Sequence, residues 1–177
     1  MTALTGRTTA VLLGVLTVLV AYLWIVELRP RQREPVAAPA EPALLTVPLD
    51  AVARIDLEEG GRVLTALRTA DRWTDGTGRP WRDDTIADLV GTLGSLRPVM
   101  IVDEAPHEPA EYGLGPGASR LAVAMASGRS ALVLELGDRN PASTGIYARR
   151  DGRPEVLLLG GILTWELDKL RSADPAH

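Results

Sequence analysis

The feature that most constrains this chain is an uninterrupted apolar run near its start. From Thr8 to Val26 no residue is charged, and the run ends at Glu27. As a helix, these 19 residues would span roughly 28 Å, about the thickness of the hydrocarbon core of a bilayer. Tyr22 and Trp24 lie near the far end, where aromatic rings favour the headgroup boundary. The run therefore predicts one N-terminal transmembrane helix within residues 1–28.

A cleaved signal peptide is the competing interpretation of this run. Such peptides have a shorter apolar region of about 7–15 residues, followed closely by small residues at the cleavage site. Here bulky Trp24, Ile25 and Val26 occupy that place, and the small residues of Ala38-Pro39-Ala40 lie well beyond it. We therefore predict an uncleaved anchor that contacts the lipid bilayer through Thr8 to Val26.

Composition excludes several functional classes. The chain has no cysteine, which removes disulfides, thiolate metal ligands and cysteine nucleophiles together. From Glu41 onward it carries 15 basic and 21 acidic residues, a net charge of −6. Because nucleic-acid phosphates require a basic face, we predict no nucleic-acid partner. Only two histidines occur, one of them the terminal His177, which leaves almost no material for a zinc site or a histidine-based triad.

The rest of the chain divides into a linker and a globular domain. Residues 29–48 are rich in proline and alanine, a composition typical of semi-rigid extended spacers. An ordered segment lying along a partner protein is the alternative for this stretch. Residues 49–177 are predicted to form one globular domain, which is long enough to bury a core without cross-links.

Three hairpins are predicted in the globular domain, with glycine at each turn supplying the positive φ that tight turns need. Both faces of the middle hairpin are apolar, so we expect it at the centre of the sheet. A further short strand is predicted at Val99–Val102. The hairpins pair Val52–Glu58 with Arg62–Arg68, Arg120–Ala126 with Ser130–Leu136, and Ile146–Arg149 with Glu155–Leu159.

Two helices are predicted between these strands and after them. Apolar residues spaced by three and four predict a helix from Asp84 to Leu96 with one buried stripe, and Asp83 or Asp84 can cap its start. A second helix is expected from Ile162 to Leu170. Because hairpins and helices are segregated along the chain, the fold class is predicted to be α+β, an antiparallel sheet of three hairpins with two packed helices. The apolar positions are Ile86, Leu89, Val90, Leu93 and Leu96 in the first helix, and Leu163, Trp165, Leu167 and Leu170 in the second.

The order of these features resembles a bacterial membrane-anchored family catalogued as domain of unknown function 4340. The resemblance is carried by Glu111-Tyr112-Gly113-Leu114, then Leu136-Gly137, then Gly145-Ile146-Tyr147-Ala148-Arg149. Family members usually have an acidic residue after the Tyr-Gly-Leu, where this chain has Gly115. The resemblance implies an extracytoplasmic module on a single membrane anchor, in some cases found with components of ABC-type transporters. It implies no catalytic residues.

Two loops contain residue types that could carry chemistry. Gly113–Gly117 superficially resembles a phosphate-binding loop, but it leads into a strand instead of a helix and Pro116 lacks a donor, so we interpret it as a turn. His107 lies among Asp103, Glu104, Glu108 and Glu111, which could hold a cation. Prolines keep that segment extended, so a solvated acidic loop is the favoured interpretation.

Two charged clusters have simpler structural explanations. Asp83, Asp84 and Asp88 could act as paired carboxylates, but their position at a helix start is explained by capping and by the helix dipole. Arg149, Arg150 and Arg153 could bind phosphate or an acidic partner, but they also fit an ordinary charged turn. The sequence therefore predicts no catalytic, cofactor-binding or metal-binding residue and no cofactor.

The function predicted from these observations is a non-catalytic accessory or scaffold subunit of a larger membrane complex, which binds a protein partner. Its globular domain is expected on the extracytoplasmic (periplasmic) side of the cell membrane. The alternative is an extracytoplasmic ligand- or envelope-binding module associated with an ABC-type transporter. A deep cavity with convergent polar groups would favour the ligand, and a flat apolar patch would favour the protein partner.

Overall fold

The computed structural model describes residues 14–17, 19, 22, 43–70 and 72–174. Most of the predicted span Thr8–Val26 and much of the predicted linker lie outside these residues. Within the described part of the chain, no helix is long and apolar enough to cross a membrane. The chain divides into two compact units, Met1–Ala40 and Glu41–His177, and the second contains the sheet and its helices.

Eight strands form one fully antiparallel sheet in the second unit. The three predicted hairpins are present, because their alternating or continuous apolar patterns meet at glycine turns. The strands are β1 (Val52–Glu59), β2 (Arg62–Thr69), β3 (Arg72–Thr74), β4 (Met100–Asp103), β5 (Ser119–Met125), β6 (Ser130–Arg139), β7 (Gly145–Arg150) and β8 (Val156–Gly160).

The strand order is β3-β2-β1-β5-β6-β7-β8-β4. The middle hairpin, β5 with β6, lies at the centre of the sheet as predicted. Two pairings join segments far apart in sequence: Ile55 of β1 is opposite Val123 of β5, and Ile101 of β4 is opposite Leu157 of β8. The strand β3 was not predicted, because its three residues are too few to show an alternating pattern.

Two helices complete the α+β fold: α1 (Asp83–Ser95) and α2 (Gly161–Ser172). The core is one hydrophobic cluster between the helices and a single face of the sheet, where the buried residues of each strand alternate with more exposed ones. All five predicted stripe residues of the first helix are buried. The strand residues in this cluster include Ile55, Leu57, Leu121, Val123, Leu132, Leu134 and Leu136.

The packed domain begins earlier than residue 49. Leu44 and Leu45, inside the predicted linker 29–48, are each only 3% exposed and belong to the core cluster. The backbone N–H of Leu44 also donates to the carbonyl of Leu96 at 2.9 Å, at the end of α1. These two leucines lie between Pro42 and Pro48, so composition alone placed them in the spacer.

The two helices differ from the sequence predictions in detail. Trp165 was predicted on the apolar side of α2, yet it is exposed, because it lies about 200° around the helix from Leu163. The prediction that an aspartate caps α1 was also wrong. The capping position is Arg82, with no side-chain cap, and the Asp84 carboxylate instead accepts the N–H of Thr85 within the first turn.

Candidate functional site

The two edges of the sheet are protected differently. On the outer side of β3, the N–H of Trp81 donates to the carbonyl of Trp73 at 2.9 Å, and Thr74 forms an isolated bridge with Pro80. The chain thus covers this edge with its own following loop. At the opposite edge, β4 pairs with β8 on one side and with no other described strand. The second edge is therefore open for pairing.

The open edge is apolar as well as unpaired. Val99, immediately before β4, is 64% exposed, and Met100 and Ile101 within it are 54% and 38% exposed. Proteins usually protect such an edge with charges, prolines or bulges, because its free N–H and C=O groups invite another strand. Here Pro98 precedes the apolar stretch and the pairing with β8 shifts register between Ile101 and Asp103. Charges occur only beyond the ends of the stretch, at Arg97 and Asp103.

The exposed apolar surface extends toward helix α2. A β-carbon on Gly160 would lie 4.0 Å from Val99, and α2 begins at the next residue. Ile162 and Trp165 follow one helical turn apart and are both more than half exposed. We call Val99, Met100 and Ile101 the edge surface.

A lysine holds Trp165 and joins the two helices. The Nζ of Lys169 lies 4.2 Å from the Trp165 ring centroid and 2.9 Å from the buried carboxylate of Glu166. It also donates to Asp88 of α1 at 2.8 Å. Its hydrogen bonds to Asp88 and then to Glu166 raise the pKa of Lys169. Sequence reasoning missed this cluster, because Lys169 is the only lysine in the chain and follows no recognised motif.

The aspartates near the start of α1 do not form a described acid–base pair. Asp88 contacts Lys169 on the other helix. Asp84 lies 3.4 Å from Arg82 in an exposed pair, and nothing is described of the Asp83 side chain. A contact between two of these carboxylates, which acid–base chemistry would need, is not described.

The charged residues of the acidic loop around His107 do not form a described metal-binding cluster. The His107 side chain is exposed, and among the described residues no cluster of three or more histidines and carboxylates could hold a metal ion. Asp103 instead accepts the N–H of Ala105 at 3.0 Å and the hydroxyl of Tyr112 at 3.4 Å. Desolvation and the nearby Asp103 carboxylate raise the pKa of Tyr112.

The Gly113–Gly117 segment is a turn that packs against the sheet. Tyr112 stacks edge-on against Tyr147 of β7, with ring centroids 5.1 Å apart. The N–H of Gly115 donates to one carboxylate oxygen of Glu135. Gly113 has φ 71° as it ends a short 3-10 helix, Pro109–Tyr112. The segment thus ties the loop to β6 and β7, and these contacts involve the residues that carry the family resemblance.

The predicted arginine cluster borders a cavity of about 990 Å³ beside the β7–β8 turn. Arg149 donates through Nη2 and Nε to a single oxygen of Glu135, at 2.6 and 3.0 Å. Both carboxylate oxygens of Glu135 therefore accept hydrogen bonds, one from Gly115 and the other from Arg149. Arg150 and Arg153 continue into the turn, and Arg120 lies 3.8 Å from Asp151.

The described structure is thus an α+β domain whose sheet has an open apolar edge at β4. The family described as domain of unknown function (DUF4340) matches residues 75–173. Because the match covers more than half of the chain, this protein belongs to that family. The match begins just after β3, so it covers β4 to β8 and both helices. The first three strands belong to the same sheet but lie outside the match. No curated protein and no solved structure matches the chain.

Proposed function

We propose that this protein is a membrane-anchored, non-catalytic accessory or scaffold subunit that binds a protein partner at the open edge of β4. The observation that carries the proposal is the combination of an unpaired strand with exposed Val99, Met100 and Ile101. An extended segment of the partner would add to the sheet as a further strand. Backbone hydrogen bonds would provide affinity, and the exposed apolar side chains would provide contact area.

The contrast between the two sheet edges supports this mode of binding. The β3 edge is covered by Pro80 and Trp81, whereas a comparable cover for β4 is not described. A partner segment on β4 would lie beside Val99, close to the residue at which α2 is capped, Gly160.

The proposed placement in the cell rests on the sequence and the family. The charge-free run Thr8–Val26 supports anchoring in a bacterial cell membrane, with the domain on the extracytoplasmic side. Basic residues near the run, at Arg29, Arg31 and Arg33, would favour the opposite orientation, but large domains translocate largely regardless of charge. The partner would be another subunit of the same membrane complex, such as an ABC-type transporter component.

Replacing Met100 with lysine should weaken partner binding at least about tenfold, because the ammonium group would be desolvated in the added interface. The measurement is quantitative co-purification of the full chain from crosslinked native membranes. Val63→Lys is the matched control, since Val63 is similarly exposed, at 56%, but lies on β2, away from the open edge.

Two outcomes would contradict this part of the proposal. One is that Met100→Lys recovers the same proteins in the same amounts as the unaltered chain. The other is that Met100 crosslinks only to a second copy of the chain and the mass of the purified assembly halves on substitution. That result would assign the edge to self-association.

Labelling of a single cysteine at Ser127 should show which side of the membrane the domain occupies. Ser127 is exposed in the turn between β5 and β6, and the chain has no other thiol. A membrane-impermeant maleimide is expected to label Ser127→Cys in intact spheroplasts. Labelling that requires lysis of the membrane would place the domain in the cytoplasm.

A further inference from the structure

The cavity of about 990 Å³ beside the β7–β8 turn lies on the face of the sheet that the helices do not cover. Four charged side chains border it, one from each of β1, β5, β6 and β7: Glu58, Arg120, Glu135 and Arg149. Each is directly opposite the next in the strand pairing, so all four project from the same face of the sheet. Leu57, which precedes Glu58, belongs to the core, so this row of charges points away from the core. The row is the floor of the cavity.

Three turns form the walls of this cavity. They are the β1–β2 turn, the Gly113–Gly117 segment and the β7–β8 turn. A β-carbon built on Gly61, Gly117 or Gly152 would meet no atom within 4 Å, so these walls leave open space in front of the backbone. Small-molecule sites typically have volumes of about 300–1,000 Å³. The cavity is therefore large enough for a small solute.

Ion pairs within the domain account for part of the charge around the cavity. Arg149 holds Glu135 at 2.6 Å, and Arg171 holds Glu59, another bordering residue, at 2.8 Å. The described bordering charges that remain outside such close pairs are three arginines and two carboxylates, which together carry a net charge of +1: Arg120, Arg150, Arg153, Glu58 and Asp151.

Arg150 gives the wall of the cavity a charge that no described hydrogen bond compensates. Its Nε and Nη2 atoms are buried and have no hydrogen-bond partner among the described residues. Because solvent does not reach these two nitrogens, a solute would not contact them directly. The charge still acts through space, since a cleft with low-dielectric walls focuses the field of the charges that line it. Arg150 therefore makes this end of the cavity favourable for an anion.

Arg120 and Arg153 are the side chains that a solute can reach, because both are exposed. Arg120 lies 3.8 Å from Asp151, which is too far for a hydrogen bond. The Asp151 side chain is itself 69% exposed. An oxyanion that displaced Asp151 from Arg120 would leave that carboxylate in water, at little cost, since exposed ion pairs contribute little to stability.

We propose that this cavity binds a small solute through an oxyanion, a carboxylate or a phosphate group, held by Arg120 and Arg153. A guanidinium group presents its N–H donors in a planar fork that matches the geometry of both oxyanions. Glu58, next to Arg120 in the row, would repel an anion, so the oxyanion lies on the side of Arg120 toward the β7–β8 turn. The solute is therefore anionic at one end and uncharged or cationic where it passes Glu58. This site is separate from the open edge, because the described residues around it include none from β4.

Two anions test the site on the full chain, purified in detergent and labelled with ¹⁵N: inorganic phosphate and lactate, a small hydroxycarboxylate. Each replaces sodium chloride at constant ionic strength and pH, and NMR follows the backbone amide signals. We expect the signals of Gly117, Gly152 and Arg153 to shift and saturate, with a dissociation constant of about 10 mM or lower. Saturation with either anion supports the site, and the one that binds more tightly identifies the oxyanion of the solute.

Arg153→Gln should weaken the binding of the tighter anion about tenfold, because it removes a hydrogen bond to a charged group. Arg120→Gln should have a similar effect. Arg129→Gln, in the β5–β6 turn, is the charge-matched control and should bind as the unaltered chain does, since Arg129 is exposed and does not border the cavity. Because all three side chains are exposed, the variants should unfold near the original midpoint.

Two results would overturn this inference. One is that the shifts rise linearly with both anions and do not saturate, which would mean that the anions only screen surface charge. The other is that Arg129→Gln weakens binding as much as Arg153→Gln, which would mean that net charge and not the cavity governs it. Neither result depends on Met100→Lys, so the site and the proposed strand addition are tested separately.

Discussion

Replacing Gly137 with alanine is expected to lower the free energy of unfolding by about 3 kcal/mol or more, at the upper end of overpacking effects. A β-carbon at this position of β6 would overlap the backbone carbonyl oxygen of Tyr112. A backbone atom cannot rotate away as a side chain would. The loop that contains Gly113 is packed just as closely against β6, since a β-carbon on Gly113 would lie 2.6 Å from the backbone nitrogen of Asp138. The loop and the strand would have to separate.

Gly91→Ala is the matched control for this substitution. Gly91 lies within α1, and a β-carbon there would meet no atom within 4 Å. Alanine is favoured over glycine inside a helix, so this variant should gain about 0.5–1 kcal/mol. Denaturant unfolding of the full chain measures both. Equal stability of Gly137→Ala and the original chain would show that the loop does not pack against β6 this closely.

Leu93→Ala should cost about 2–5 kcal/mol, because it leaves a cavity in a packed core. Leu93 is 0% exposed and belongs to the cluster that joins α1 to the sheet. The same unfolding measurement tests it, with the slope of the transition as a check that the folded state remains compact.

Asp88→Asn provides a control on the same helix. Asp88 faces away from the core. Its side chain, which forms an ion pair with Lys169, is 55% exposed. Exposed ion pairs contribute little to stability, so this variant should unfold near the original midpoint. An unchanged midpoint for Leu93→Ala would mean that the buried stripe of α1 had been assigned to the wrong residues.

Much of the fold was predictable because its signals are local. The spacing of Ile86, Leu89 and Leu93 predicts a helix with one buried face, and this prediction does not require knowing which element covers that face. The glycine turns at Gly60 and Gly128 report hairpins in the same way. The apolar character of both faces of β5 and β6 indicated a central position, which the strand order confirms.

The features that were missed depend on contacts between distant parts of the chain. Leu44 reaches the core only because the end of α1 is beside it. Lys169 gains its role from Asp88, which is far away in sequence. Arg150 was noted within a charged turn, but only the three-dimensional structure shows that its guanidinium nitrogens are buried without a partner. The open edge likewise depends on strand order, which no local pattern encodes.

The strand order also determines when the open edge comes into existence. In the sheet, β4 pairs only with β8, which is synthesised about fifty residues later. Until β8 has joined β7, the apolar stretch of β4 has no template on which to form a strand. A nascent or C-terminally truncated chain would therefore lack the ordered edge, and only the completed domain would present it to another protein.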